Sequence, residues 1–235
     1  TGDFPLTVNG GFPAQVWSGM AVPGGTVGGE ASAVVPQEAR GLLALAQIDG
    51  ARSGDFAFDL GDSSVVAPAE GTFSEDYSTW SGAATNAAFV TPAPGTVTVS
   101  MPEAFTFTTV KDGEDSVELD CALAEGQEAA SLGETTFLKQ TGTKLTAKAP
   151  KAKKGKTAKV RVAVVTDAGP TTVSVGKVVA KKGKKVVAKA NVKSGKAVLK
   201  IKKGLKVGKN KLTVTYAANP SVDGAKTNVV VKVAR

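Results

Sequence analysis

Residues 181–204 read KKGKKVVAKANVKSGKAVLKIKKG, ten lysines in 24 positions without an arginine, an aromatic residue or an acid. Val186, Ala188, Ala190 and Val192 alternate with Lys185, Val187, Lys189, Asn191 and Lys193; Ala197, Leu199 and Ile201 alternate with Lys196, Lys200 and Lys202. Apolar residues recurring every second position put one face of a strand in a core and the other in water. The stretch therefore predicts a hairpin whose valines, alanines, Leu199 and Ile201 build a core while its lysines stand outside.

The same pattern extends in both directions. Leu212, Val214 and Tyr216 alternate with Lys211, Thr213 and Thr215, and further strands are expected near 143–149, 158–166, 171–179 and 226–233. Turn sequences separate them: DAGP at 167–170, KKGKK at 181–185, KSGK at 193–196, VGKN at 207–210 and ANPSVDG at 218–224. About seven short strands at this spacing are the signature of a β-sandwich.

Charge divides the chain. Residues 1–138 hold three basic residues (Arg40, Arg52, Lys111) against 19 acids, a net −16, whereas residues 139–235 hold 26 basic residues against Asp167 and Asp223, a net +24. The switch places an acidic domain at 1–134, a linker at 135–143 and a basic domain at 144–235. In the acidic part, strand-like stretches lie at 4–8, 14–22, 54–60, 70–74, 87–91, 95–101, 104–110 and 116–121. One short helix is expected at 36–47, with Pro36 in its first turn and Ala39, Leu42, Leu43 and Ala46 on one face. The fold class is all-β: two β-sandwich domains in tandem, the second with about seven strands, the first with one short inserted helix.

Composition also limits the chemistry. The chain lacks histidine, which removes the usual general base and zinc ligand, and its single cysteine, Cys121, excludes an internal disulfide or thiolate cluster. The acidic clusters DLGD (59–62), SEDY (74–77) and KDGEDSVELD (111–120) contain carboxylates for calcium or glycoside hydrolysis, but none has the spacing of an EF-hand loop. Solvated turns are the simpler reading, and Trp17, Tyr77 and Trp80 are few for a sugar-binding cleft. No nucleophile elbow is present, and PGGTVGGE (23–30) lacks the Gly-Lys-Ser/Thr ending of a phosphate loop, so it reads as a loop between strands. No enzymatic activity, cofactor or metal site is expected. No apolar run approaches the roughly 20 residues of a membrane-spanning helix.

The lysines at 185, 189, 193, 196, 200 and 202 form the candidate interaction surface. Arginine is confined to Arg161 and Arg235 in the basic half and Tyr216 is its one tyrosine, so specific nucleic-acid recognition is not expected. Two uses of the charge remain open beside plain solubility: contact with the acidic half of another copy, or attraction of anionic wall polymers, glycans or released nucleic acid. Lysine–asparagine crosslinks through Asn191, Asn210 or Asn228 are a further option that spacing leaves unassigned.

Two resemblances follow from particular stretches. GPTTVSVGKVVA, AKANVKSGKAVLKI and LKVGKNKLTVTYAANPSVDGAKTNVVVKV, over residues 141–235, resemble the bacterial Ig-like repeat domains of surface and secreted proteins. That resemblance implies a spacer, stalk or adhesive module. DFPL, VPQEARGLLALAQIDGARSG and VTVSMPEAFTFTTV…LDCALAEGQ resemble an uncharacterised β-rich domain of secreted actinobacterial proteins. It implies an extracellular or cell-surface location in a Gram-positive actinobacterium, and a half-cystine at Cys121 pairing with a cysteine just before the first strand. Cys121 then has a partner upstream of Thr1, joins another chain, or is a free thiol.

Overall fold

The computed structural model describes residues 4–235. In chain order it contains β1 (Leu6–Gly10), β2 (Gln15–Trp17), β3 (Ala21–Val22), β4 (Gly28–Val34), α1 (Gln37–Ala46), β5 (Gly50–Ser53), β6 (Ala57–Leu60) and β7 (Ser64–Val66). There follow β8 (Ala69–Phe73), β9 (Thr79–Thr85), β10 (Phe89–Val90), β11 (Gly95–Ser100), β12 (Ala104–Lys111), β13 (Glu114–Ala122) and β14 (Ser131–Leu138). The last eight are β15 (Lys144–Lys148), β16 (Ala152–Lys153), β17 (Ala158–Val165), β18 (Lys177–Lys182), β19 (Lys185–Asn191), β20 (Lys196–Ile201), β21 (Gly208–Tyr216) and β22 (Ala225–Ala234). The described residues are all-β but for one helix.

Two compact units divide the chain. Of the described residues, the first comprises 4–14, 22–89 and 96–136; the second comprises 15–21, 90–95 and 137–235. The segment 135–143 ends β14 and buries Thr135, Phe137 and Gln140.

The second unit is a sandwich of a three-stranded sheet, β15-β17-β20, and a five-stranded sheet, β16-β22-β21-β18-β19. Strict alternation builds it: β17, AKVRVAVV, buries Ala158, Val160, Val162 and Val164, and β21 buries Leu212, Val214 and Tyr216. These meet Leu199, Ile201, Val178, Val229 and Val231 in one continuous core. Residues 144–235 form eight strands where about seven are expected, the extra one being the two-residue β16, parallel to β22.

The quoted stretch departs from the expected hairpin. The turn at Gly183 joins β18 and β19 within one sheet, but the KSGK turn carries the chain from β19 in the five-stranded sheet to β20 in the three-stranded one. Ser194 and Gly195 both take left-handed φ, 45° and 68°, and a Cβ at Gly195 would strike the Pro170 carbonyl. A bulge between Ala180 and Lys181 shifts the register, so Val186 is exposed and Val187 packs on the core in its place. The strand expected at 171–179 also shifts, to 177–182.

The same unit takes in two short segments from early in the sequence. Gln140 Nε2 donates to the Ser18 carbonyl at 2.7 Å, Thr166 Oγ1 donates to Gln140 Oε1 at 2.7 Å, and Gln140 N donates to the Ser221 carbonyl at 2.9 Å. Thr91 Oγ1 donates to the Trp17 carbonyl at 2.7 Å and accepts from Met20 N at 2.8 Å. Ser18, Thr91, Gln140 and Thr166 are buried, so these bonds replace the water that their polar atoms lose.

The first unit centres on a seven-stranded sheet, β1-β4-β9-β8-β5-β12-β13, and a second sheet in which β14, β11, β6 and β7 neighbour one another in that order. A row of aromatic rings in edge or tilted contact fills it: Trp80–Phe107 at 5.0 Å, Phe107–Phe105 at 5.3 Å, Phe105–Phe56 at 5.2 Å and Phe56–Phe58 at 5.4 Å. Ala31, Ala33, Ala51, Ala69 and Ala84 complete the layer beside Trp80. The expected loop at 23–30 is partly strand, since β4 begins at Gly28. The helix spans 37–46, with Pro36 at its N-cap, but its packing differs from expectation: Ala39 and Leu43 are half-buried, while Leu42 and Ala46 face water with Leu45, 84% exposed.

Candidate interaction surfaces: cationic sheet faces and two charged edges

Because β17 buries every second residue, its remaining side chains point away from the sandwich, and its neighbours β15 and β20 follow the same rule. Pairing then fixes which cations adjoin. Lys148 lies beside Arg161, which lies opposite Val198; Lys159 lies directly opposite Lys200; Lys196 lies opposite Ala163. With Lys144 at the start of β15, this face carries six cations and no acid. Like charges directly opposite one another on a sheet repel. Each extra cation on so small a face adds to that cost.

The unit's two acids do not relieve it. Asp223 pairs with Lys139 at 2.8 Å, and Asp167 accepts from Thr141 N at 2.9 Å and Thr141 Oγ1 at 2.6 Å. The outer face of the five-stranded sheet is also cationic, with Lys177, Lys181, Lys211 and Lys226 outward and Lys209 directly opposite Lys232.

All six lysines singled out from the sequence are exposed, yet they do not share one sheet face. Lys185 and Lys189 belong to β19, Lys196 and Lys200 to β20 in the other sheet, Lys193 lies in the turn between them and Lys202 just past β20. Sequence reasoning missed Lys144, Lys148, Lys159 and Arg161, which only cross-strand register brings beside Lys196 and Lys200. Their outward alternation in β15 and β17 was the available signal.

In the first unit the edge strand β13 carries four acids, Glu114, Asp115, Glu118 and Asp120. Among the described residues β13 pairs with β12 alone, and eight of its nine residues are exposed. Its hairpin turn, Asp112–Gly113, has both central residues at left-handed φ, 52° and 81°, as a two-residue loop of this kind requires. Glu118 and Asp120 lie opposite Thr108 and Thr106, on the face away from Phe105 and Phe107; Asp115 pairs with Arg52 at 2.7 Å. Leu119 and Cys121 lie opposite Phe107 and Phe105 on the core-facing side.

Cys121 is a thiol with no disulfide among the described residues. Burial pushes its pKa up, and the neighbouring Asp120 charge adds to the effect. A thiol so placed is a weak nucleophile. It lines an apolar groove of about 260 Å³ with Phe4, Leu43, Trp80, Phe107 and Leu119.

The other acidic clusters resolve into turns. In SEDY and the residues after it, Asp76 accepts from Ser78 N at 3.0 Å and from the Ser74 and Ser78 hydroxyls at 2.8 Å each. Ser78 above all, then Ser74, holds the Asp76 carboxyl down to about 2. Trp80, counted as a sugar-stacking candidate, is instead fully buried. Among the described residues, no group of three or more Cys, Asp or Glu side chains is placed to hold a metal ion.

Of the asparagines considered for crosslinks, Asn228 Oδ1 accepts from Thr213, and Asn191 is exposed at the end of β19. Asn210 Oδ1 accepts from Lys182 Nζ at 2.7 Å. Lys182 Nζ also donates to the Gly204 carbonyl at 3.2 Å, while Asn210 Nδ2 staples the loop through the Lys206 carbonyl at 2.7 Å. That is the geometry of an ammonium donor in a loop clamp. The unit's two acids, either of which could shuttle a proton, are engaged with Thr141 and Lys139.

No family model and no curated protein matches the chain. Among solved structures it is similar to a chimeric titin Z1Z2 tandem, at 10% identity and TM-score 0.32, covering 99% of each chain. It is also similar to the fibronectin(III)-like modules of Clostridium thermocellum CbhA, at 13% identity and TM-score 0.29, covering 98% of this chain and 96% of that one. The Escherichia coli adhesin FdeC matches at 12% identity and TM-score 0.29, with 98% of this chain and 64% of the adhesin covered. Likenesses this distant carry no information about what the chain does. No helix of the described residues is long and apolar enough to cross a membrane.

Proposed function

We propose that the protein is an extracellular or cell-surface structural or adhesive protein of a Gram-positive actinobacterium, whose copies associate head to tail, acidic unit against basic unit. The observation that carries this reading is the coincidence of charge with compact unit. Among the described residues, 18 acids but three basic residues belong to the first unit, and 26 basic residues with two acids belong to the second. A surface patch that meets a different patch on the next copy makes a heterologous contact, and repetition of such a contact builds an open filament. Electron microscopy of the purified protein tests it: filaments at low ionic strength that dissolve in high salt support the reading, and isolated particles under every condition overturn it.

A second reading is favoured by the outer face of the three-stranded sheet, where Lys159 opposite Lys200 remains without a counter-charge. Here the basic unit is an anchor for anionic wall polymers, glycans or released nucleic acid. Such binding is unselective and weakens steeply with salt. Pull-down of the full chain with purified wall polymers, glycans and DNA decides it: retention lost with the charge reversals Lys159→Glu and Lys200→Glu supports an anchor, and no retention at low salt rejects it. Under either reading no chemical step is assigned to the chain, and the Cys121 thiol serves as a structural half-cystine when its partner is supplied.

A further inference from the structure

Two sheet edges carry opposite charge and, among the described residues, no further strand of either sheet covers them; the Lys193–Lys196 bridge takes up only the Lys196 N–H and C=O at the start of β20, which leaves Val198 and Lys200 open. Among the described residues, β13 closes one side of the seven-stranded sheet with only β12 as neighbour, and β20 closes one side of the three-stranded sheet with only β17 as neighbour. An edge strand presents a row of unpaired N–H and C=O groups that another strand can complete. On β13 the outward acids are Glu118 and Asp120, and Val117 is 54% exposed; on β20 the outward cations are Lys196 and Lys200, and Val198 between them is 45% exposed.

The charges forbid two pairings and favour a third. β13 against β13 sets carboxylates beside carboxylates, and β20 against β20 sets lysines beside lysines; like charges on neighbouring strands are destabilising. β13 against β20 places acids beside lysines at cross-strand or diagonal positions, separations of about 5–8 Å that long side chains span. It also supplies the negative charge that Lys159 and Lys200, opposed on the same face, lack.

We infer that β13 of one copy adds to the free edge of β20 of the next, so that the seven-stranded sheet of the first copy and the three-stranded sheet of the second become one continuous sheet. The inference rests on the head-to-tail reading above and names its contact. The occupant is a second copy of this chain because this chain itself carries the complementary edge. Backbone hydrogen bonds supply the affinity in such strand addition, and the side-chain charges supply the choice of partner.

Charge swaps test it in the intact protein by sedimentation at low salt. The pair Glu118→Lys and Asp120→Lys reverses β13; the pair Lys196→Glu and Lys200→Glu reverses β20. Each pair alone is expected to weaken self-association by about a hundredfold, because it juxtaposes like charges at the contact. The two variants mixed, or all four substitutions in one chain, are expected to restore it, since the alternating copolymer and the fully swapped homopolymer both set acid against lysine again. Circular dichroism of each variant confirms that it is folded. Lys226→Glu with Lys232→Glu, an equal change in net charge on the other sheet, is the control and is expected to weaken association by no more than about tenfold, since its charges stand outside the contact and act on it only through the long-range field. Association of the parent that the control abolishes as fully as the β20 pair, or that mixing fails to restore, overturns the edge pairing while leaving charge-driven association standing. A parent that is monomeric at every concentration overturns both.

Discussion

The two units enclose their cores with different materials. The basic unit uses aliphatic residues in strict alternation: Val160, Val162 and Val164 on β17 face Leu212, Val214 and Val231 across the sandwich, and the lysines between them stand on its outer faces. The acidic unit uses a row of rings, Trp80, Phe107, Phe105, Phe56 and Phe58, flanked by strands of alanine, glycine and serine. Small residues let neighbouring strands pass close beneath the rings: a Cβ added at Gly71 would meet the Ser81 carbonyl at 2.2 Å. A lattice of similar aliphatic side chains spreads stability evenly, whereas a few rings concentrate it.

Truncation is the strongest way to break this contrast. Trp80→Ala, which removes a side chain 1% exposed at the end of the ring row, is expected to cost about 3–5 kcal/mol, measured by urea denaturation. Leu199→Ala in the aliphatic core is expected to cost about 2–5 kcal/mol, and several further aliphatic truncations there should give similar values. Equal losses for every aromatic and alanine position in the acidic unit would refute the idea that its stability is concentrated.

The buried polar clamp comes next. Gln140→Ala leaves the Thr166 hydroxyl and the Ser18 carbonyl without their partner, at an expected cost of about 1–3 kcal/mol for each buried group left unpaired. Because segments 15–21 and 90–95 belong to the basic unit, hydrogen exchange should rise at Ser18–Met20 as well as around Thr166. A rise confined to residues 137–235 would show that the early segments contribute nothing to this unit's stability.

Much of the basic unit was readable in sequence because lysine and valine differ so sharply: alternation located β17, β20, β21 and β22 to within a few residues. What was hidden there was register. The bulge that exposes Val186 and the crossing of the KSGK turn between sheets depend on pairing with partners distant in the chain. In the acidic unit, β4 (GGEASAV) and β9 (TWSGAAT) escaped notice, since glycine, alanine and serine have low strand propensity and their burial is imposed by Trp80 and the neighbouring strands. The cationic face was half legible. Lys196 and Lys200 were identified, but Lys148, Lys159 and Arg161 join them only through pairing across three strands.

Smaller effects separate the surfaces of the two units. Lys200→Thr relieves the direct opposition to Lys159 and is expected to stabilise the protein by up to about 0.5 kcal/mol at low salt, with the gain vanishing near 1 M salt. Loss of stability at low salt would mean that the face is not repulsive. In the acidic unit the turn around Asp76 should respond to pH alone. Its folded pKa of about 2 lies below that of an ordinary aspartate, so its contribution is present above about pH 4 and disappears as pH falls through 2. Amide shifts of Ser74 and Ser78 in a pH titration follow this directly, and Asp76→Asn should remove the transition.

Sedimentation of the unaltered protein across a concentration series, at about 20 mM and about 1 M salt, tests the opposition of the two units most directly, since screening at the higher salt shortens the reach of charge to a few ångströms. Head-to-tail association predicts a mass that climbs with concentration at low salt and returns to the 23.7 kDa of one chain at high salt. A mass of one chain throughout the series, or a climb indifferent to salt, would contradict it.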